Sequence, residues 1–362
     1  MKKLFLISLF IVMVSVLIIG CTGIGPKTIP RDRFDYSAAI SKSWQNQMLL
    51  NMVKLRYGET PVFVDVTSVI SQYAVESQVS LGAIFNNPLA NSGDTQSIGG
   101  TGKYTDRPTI TYAPMVGKKF AKTMMTPIPP PAIFFLIQSG WPVDFILRSC
   151  VKSVNTFQNR SGTRMLRHEA DLNFYQLVSL LSDIQKSGAV SVRIEVDKNK
   201  RESTVFTFRR ENIDPEIESK ISSLKRLLNL EPGRREFRVV YSSAPRDKNE
   251  IAVLTRALLE IIIELSSYID IPQAHISEGR SFPTLMGHMD LNAEFGPLIE
   301  IHSQTDPPKA QDSFVSVEHR GYYFWIDDRD MRSKRMFSFI MLLFTLVEPK
   351  EALAPMVTIP TN

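Results

Sequence analysis

Apolar positions along the chain change period several times, and each change predicts an element. From Asp35 to Tyr57 the residues Tyr36, Ile40, Trp44, Met48 and Met52 recur every four positions, with Leu49 and Val53 widening the stripe. That spacing predicts an amphipathic helix. Asp35 is its expected N-cap, Lys54 and Arg56 suit its last turn, Gly58 its end, and Pro61 forbids continuation. The period then becomes two. Val62, Val64 and Val66 alternate with Phe63, Asp65 and Thr67, and Tyr73, Val75, Val79, Leu81 and Phe85 alternate with Glu76, Gln78 and Ser80. After a polar stretch from Asn86 to Gly102, alternation resumes at Tyr104, Pro108, Ile110 and Tyr112. An antiparallel hairpin over 73–112 with a long tip at 86–102 is expected, and Pro108 places its strand at an edge or beside a bulge. Such a hairpin can lie on the core, pair its edge with a partner strand, or insert into a membrane as part of an oligomeric barrel.

Thr126 to Pro131 is a short polyproline stretch. The apolar segment Ala132–Gln138 is interrupted by Gly140, Pro142 and Asp144, which predicts a buried helical hairpin whose second arm runs from Val143 to Phe157. Asn159 to Gly162 reads as a subdomain boundary. Beyond it, helices are expected over 168–186, from Pro215 to about Pro232, over 250–269 and over 336–347. Strands are expected at 190–196, 204–208, 237–241, 298–302, 314–318 and 322–326. Tyr322–Ile326 is apolar at both parities, as in a strand buried on both faces, and Met336–Val347 is apolar all round, as in a central core helix. Helices and strands are interspersed without a βαβ rhythm, so the fold class is α+β with mainly antiparallel strands.

Composition narrows the class. With 43% hydrophobic and 22% charged residues, 18 Gly, 22 Pro and 2 Cys, the 362-residue chain is neither disordered, collagen-like nor disulfide-stapled. Only one stretch is long and apolar enough to approach a bilayer span, which excludes a polytopic membrane protein. That stretch lies at the N-terminus, where Met1-Lys2-Lys3 precedes the uncharged run from Leu4 to Gly20, the layout of a secretory signal peptide.

The run ends in Leu17-Ile18-Ile19-Gly20-Cys21, which resembles the lipobox of bacterial lipoproteins. The resemblance covers residues 1–21. It implies cleavage after Gly20, diacylation of the Cys21 thiol and acylation, as with palmitate, of its new amine, anchoring the chain to a membrane. Several acyl chains on one residue make such an anchor stable where one would not. Thr22, rather than Asp, after the lipidated Cys implies outer-membrane sorting in a bacterium that has one, with the chain facing the periplasm. An uncleaved transmembrane anchor is the other reading of the run. Beyond residue 21 the chain resembles only uncharacterised bacterial lipoproteins. The expected organisation is a signal peptide at 1–20, a lipidated Gly/Pro-rich tether at 21–33, a helix, hairpin and helical segment at 34–160, and an α+β domain at 161–362.

Removing residues 1–20 removes Lys2 and Lys3 and lowers the formal charge from +5 to +3. That is no nucleic-acid footprint, and clusters such as Lys198–Arg201 and Arg234-Arg235 read as solvated surface. With Cys21 acylated, Cys150 stands alone in an apolar setting and reads as a small buried hydrophobe. Gly99-Gly100-Thr101-Gly102-Lys103 fails as a phosphate-binding loop, because Ser97 occupies the place of the first glycine and Tyr104 follows the lysine. It reads as flexible loop, and no nucleotide or other cofactor is expected.

The best chemical constellation is Asp327, Asp328 and Asp330, between a strand and the last helix. They could bind a divalent cation with Glu318 or His319, or could cap the helix and neutralise Arg332, Lys334 and Arg335. His168, His275, His288, His302 and His319 show no zinc-ligand spacing, and no nucleophile elbow is present. The sequence therefore favours a non-enzymatic envelope protein that binds or scaffolds a partner through the 73–112 hairpin. A periplasmic hydrolase or metal-binding enzyme using the Asp cluster is the alternative.

Overall fold

The structure is a computed structural model that describes residues 24–70, 73–84, 95–161, 170–196, 202–209, 213–284 and 296–347. The signal peptide, Cys21, His168, His288 and the 197–201 connection lie outside the described residues, as does the 85–94 part of the hairpin tip. Among the described residues, no helix is long and apolar enough to cross a membrane.

The fold is α+β, with mainly antiparallel sheets. Its contacts divide the chain into two units, 1–43 with 64–114 and 44–63 with 115–362. The boundary expected near residue 160 is not a structural one, because a single sheet takes strands from both sides of it.

Helix α1 runs Ile24–Arg56, beginning in the stretch expected as a tether rather than at Asp35, with Pro30 inside it. In the first unit, β1 (Val64–Ile70), β2 (Tyr73–Ile84), β3 (Thr95–Asp106) and β4 (Thr109–Pro114) form a nested antiparallel ribbon. β1 pairs with β4, and β2 pairs with β3. The expected tip at 86–102 is too long: residues 95–102, including the Gly99–Lys103 segment expected as loop, belong to β3. Glycine weakens a strand without forbidding one. Arg107 and Pro108 separate β3 from β4, where the proline has no ladder bond to donate.

The second unit contains α2 (Gly117–Met124), α3 (Pro130–Gln138) and α4 (Val143–Cys150), then β5 (Val151–Val154) and β6 (Phe157–Gln158). α5 (Leu172–Lys186), β7 (Val190–Val196), β8 (Glu202–Phe208), α6 (Pro215–Leu227), β9 (Glu236–Val240) and β10 (Glu250–Thr255) follow. The remainder is α7 (Leu258–Ser266), α8 (Gln273–Ser277), β11 (His302–Gln304), β12 (Ser313–His319), β13 (Tyr322–Asp327) and α9 (Met331–Val347).

Six strands form a sheet in the order β6-β5-β10-β9-β8-β7, antiparallel except for the β9–β10 pair. Two expectations fail here. The helix expected over 250–269 is instead a strand followed by α7. Ile251, Ala252 and Val253 are all buried between β5 and β9, and a run apolar at every position carries no decisive period. The helix expected to continue to Phe157 stops at Cys150, because Val151–Val154 joins this sheet and Asn155 turns the chain at φ 50°.

The smaller sheet has the order β11-β13-β12. Arg320-Gly321 makes the tight turn between β12 and β13, with φ of 53° and 80°. β13 is fully buried only at Phe324 and Ile326, with Tyr322, Tyr323 and Trp325 half-buried, so its second face is not sealed as expected. α9 likewise buries Met336, Phe337, Phe339, Ile340, Leu343 and Phe344 but exposes Leu342 and Leu346, so it is amphipathic rather than central. Cys150 is buried and free, and burial pushes its thiol up to about 12.

Candidate functional site

The ribbon of residues 64–114 is the first candidate surface. Its register pairs Val75 with Tyr104, Val79 with Gly100 and Leu81 with Ile98, and, one step over, Glu76 with Lys103 and Gln78 with Thr101. The outer pair runs through a bulge. Val66 pairs with Tyr112 and Val69 with Ile110, the register shift at Thr67 absorbing the odd spacing between the two valines. Thr67 Oγ donates to the Thr111 carbonyl at 3.2 Å across this bulge.

β4 is open on both faces: Thr109 and Thr111 are exposed along with Ile110 and Tyr112, while Val66 and Val69 opposite are half-buried. Tyr112 is 61% and Ile110 40% exposed, whereas Asp65, one position from Val66, is 8% exposed. Two large apolar side chains left open side by side on one strand pair are what a binding surface offers. No third described strand pairs with either half of the ribbon.

The Asp cluster is engaged locally. Asp330 Oδ1 accepts from the backbone N–H groups of Arg332 and Ser333, capping α9, and Asp327 Oδ1 accepts from the Arg329 N–H in a turn. Burial pulls the Asp330 carboxyl up, but these bonds and the Ser333 hydroxyl outweigh it and hold the carboxyl below its usual range. Asp328 pairs with Lys334 at 2.6 Å, and Arg329 reaches Asp312 rather than its neighbours. Glu318 does not join them, and among the described residues no group of three His, Cys, Asp or Glu could hold a metal ion.

A cluster that sequence spacing did not reveal lies elsewhere in the second unit. Tyr57, just after α1, makes a 2.6 Å hydrogen bond to His275 Nδ1 of α8, a contact 218 residues apart in sequence. Its ring meets those of His319 and Phe324 edge-on, and the Arg320 guanidinium lies 5.2 Å over it. Glu59 accepts from Arg320 at 2.8 Å and lies 3.1 Å from His319 Nε2. Burial pushes the Tyr57 hydroxyl up to about 12 and holds His275 below its ordinary value, with Arg280 adding to the latter. Both partners are then neutral at pH 7 and nearly sealed from solvent. The pair can clamp α1 to α8 and β12.

A second buried network closes the end of α4. Arg256 donates to the carbonyls of Arg148 and Ser149 at 2.9 Å and to that of Arg160. Asn159 donates to those of Leu147, Arg148 and Val151, and Arg160 pairs with Glu264 at 3.3 Å. These groups satisfy helix-end carbonyls that would otherwise be stranded in the core. Of the predicted site residues, Asp327, Asp328 and Asp330 are thus adjacent but bound to separate partners, and His302 and His319 join no metal set. Comparison with known proteins finds no matching family model, no matching curated protein and no matching solved structure.

Proposed function

We propose that this chain is a lipid-anchored component of a bacterial cell envelope, held by acylated Cys21, that binds an envelope protein through the ribbon of residues 64–114. The observation that carries the reading is the open apolar face at Ile110 and Tyr112 on a two-stranded ribbon. An isolated two-stranded hairpin is marginal in water, and its edges are templates for another strand. The lipobox-like segment supports the address, and the separately engaged Asp cluster supports binding over hydrolysis. The test places a photo-crosslinking amino acid at position 112 of the full-length lipoprotein in its own envelope, with position 241, also exposed, as control. A discrete protein adduct from 112 that is absent from 241 and lost in Ile110→Lys supports the reading. Identical adducts from both positions, or none from 112, overturns it. In Cys21→Ser the acyl label and membrane retention should both disappear, and retention without the label would favour an uncleaved transmembrane anchor.

A further inference from the structure

A cleft of about 1270 Å³ opens in the second unit between the α3–α4 turn, the C-terminal part of α5 and the start of α9. It is independent of the ribbon. Its wall is aromatic: Trp141 is half-buried, its ring 5.6 Å from Phe145 and 4.8 Å from Phe339, so the indole is held from behind and accessible in front. Gln185 fixes this wall by accepting from Val143 N–H at 2.9 Å and donating to the Trp141 carbonyl at 2.8 Å. Arg332 and Arg335, both exposed, also line the cleft, from the start of the helix whose Phe339 backs the indole. Two carboxylates, Asp144 and Asp183, also line the space. Asp183 is already taken by Lys220 at 2.8 Å, with Lys186 at 3.9 Å. Two guanidiniums therefore face one remaining carboxylate, and neither has an ion pair to another described residue.

The arginine wall is also built closely. Arg332 Nη1 lies 2.9 Å from where a Cβ on Gly296 would sit, at a residue whose φ is +61°. Arg148 donates to the Gly296 carbonyl at 2.7 Å from the other side. A side chain at this position would be strained at that φ and would push the Arg332 guanidinium aside. Partial burial, and after it the neighbouring Arg148, hold the Arg332 guanidinium below its ordinary value, with Asp144 opposing. An anion in the cleft could pair with both Arg332 and Arg335, which line it together, and a flat apolar body would cover the accessible indole.

From this geometry we infer that the cleft is a binding site for a small anionic ligand with a flat apolar body, its carboxylate or phosphate held by Arg332 and Arg335 and its body against Trp141. The probes are 2-naphthoate, its neutral analogue 2-naphthamide and inorganic phosphate, titrated calorimetrically into the full chain. Naphthoate should bind at least about tenfold more tightly than the amide or phosphate, the scale of one charge-assisted hydrogen bond. Arg332→Gln/Arg335→Gln, surface changes that keep the fold, should lower naphthoate affinity about tenfold and leave the amide unchanged. Trp141→Phe should abolish the fluorescence quenching that naphthoate causes. Equal binding of naphthoate and the amide, unchanged affinity in the double variant, or no naphthoate binding overturns the proposal.

Discussion

The ribbon of residues 64–114 and the three-stranded β11-β13-β12 sheet are both antiparallel and both alternate along their strands, yet they differ in what covers them. Phe324 and Ile326 of β13 are buried, with Tyr57 edge-on to Phe324 and α9 packed on the strand. In the ribbon's outer pair, the corresponding apolar positions Ile110 and Tyr112 stay open. Hydrogen-bond laddering is therefore common to both, and burial is not. Alternation makes a strand pair, but a second layer makes it a core.

The largest expected effect on that contrast is at Phe324. Phe324→Ala empties a fully buried site and should cost about 3–5 kcal/mol in urea unfolding of the second unit. A loss under about 1 kcal/mol would mean that this sheet is no better packed than the ribbon. An intermediate effect comes from pH. His275 is held below its ordinary 6.5 by burial, so it stays neutral when folded while the unfolded chain takes a proton. For Glu59, burial pulls upward, but Arg320 and His319 outweigh it and hold the carboxyl below 4.5. Both folded values are depressed, so the stability they contribute is present above the unfolded values and lost on acidification. The loss begins as pH falls through about 6.5 for His275 and through about 4.5 for Glu59. Midpoints measured by circular dichroism between pH 8 and 4 should fall in that order, and His275→Gln should flatten the upper part. The smallest effect belongs to the ribbon. Tyr112→Ala should change stability by no more than about 0.5 kcal/mol, since an exposed ring has little burial to lose. A cost resembling that of Phe324→Ala would erase the contrast and remove the open face on which partner binding rests.

Much of the fold was legible where local chemistry is one-sided. Pro215, with Asp214 accepting from the Glu216 N–H, starts α6 where expected, and Arg320-Gly321 turns the chain between β12 and β13 as its residues require. The existence of the hairpin was legible too, though not its length, because Gly99, Gly100 and Gly102 look like loop until their partners on β2 are known. The capping alternative for the Asp cluster was readable from the basic residues beside it. The Tyr57–His275 pair and the Arg256 network were not, since their members come from elements far apart in sequence and no spacing rule connects them.

By itself, the sequence determined the α+β class, the punctuation by proline and glycine, and the faces of helices such as α1 around Met48, Leu49 and Met52. These follow from backbone sterics and from periodic burial, both properties of neighbouring residues. Tertiary structure alone decided that Ile251–Val253 is a strand, that α4 ends at Cys150, and which arginines line the cleft. An apolar run fits either a helix or a buried strand until a ladder claims its N–H and C=O groups. That two arginines and an indole line one cleft depends on segments that only folding brings together.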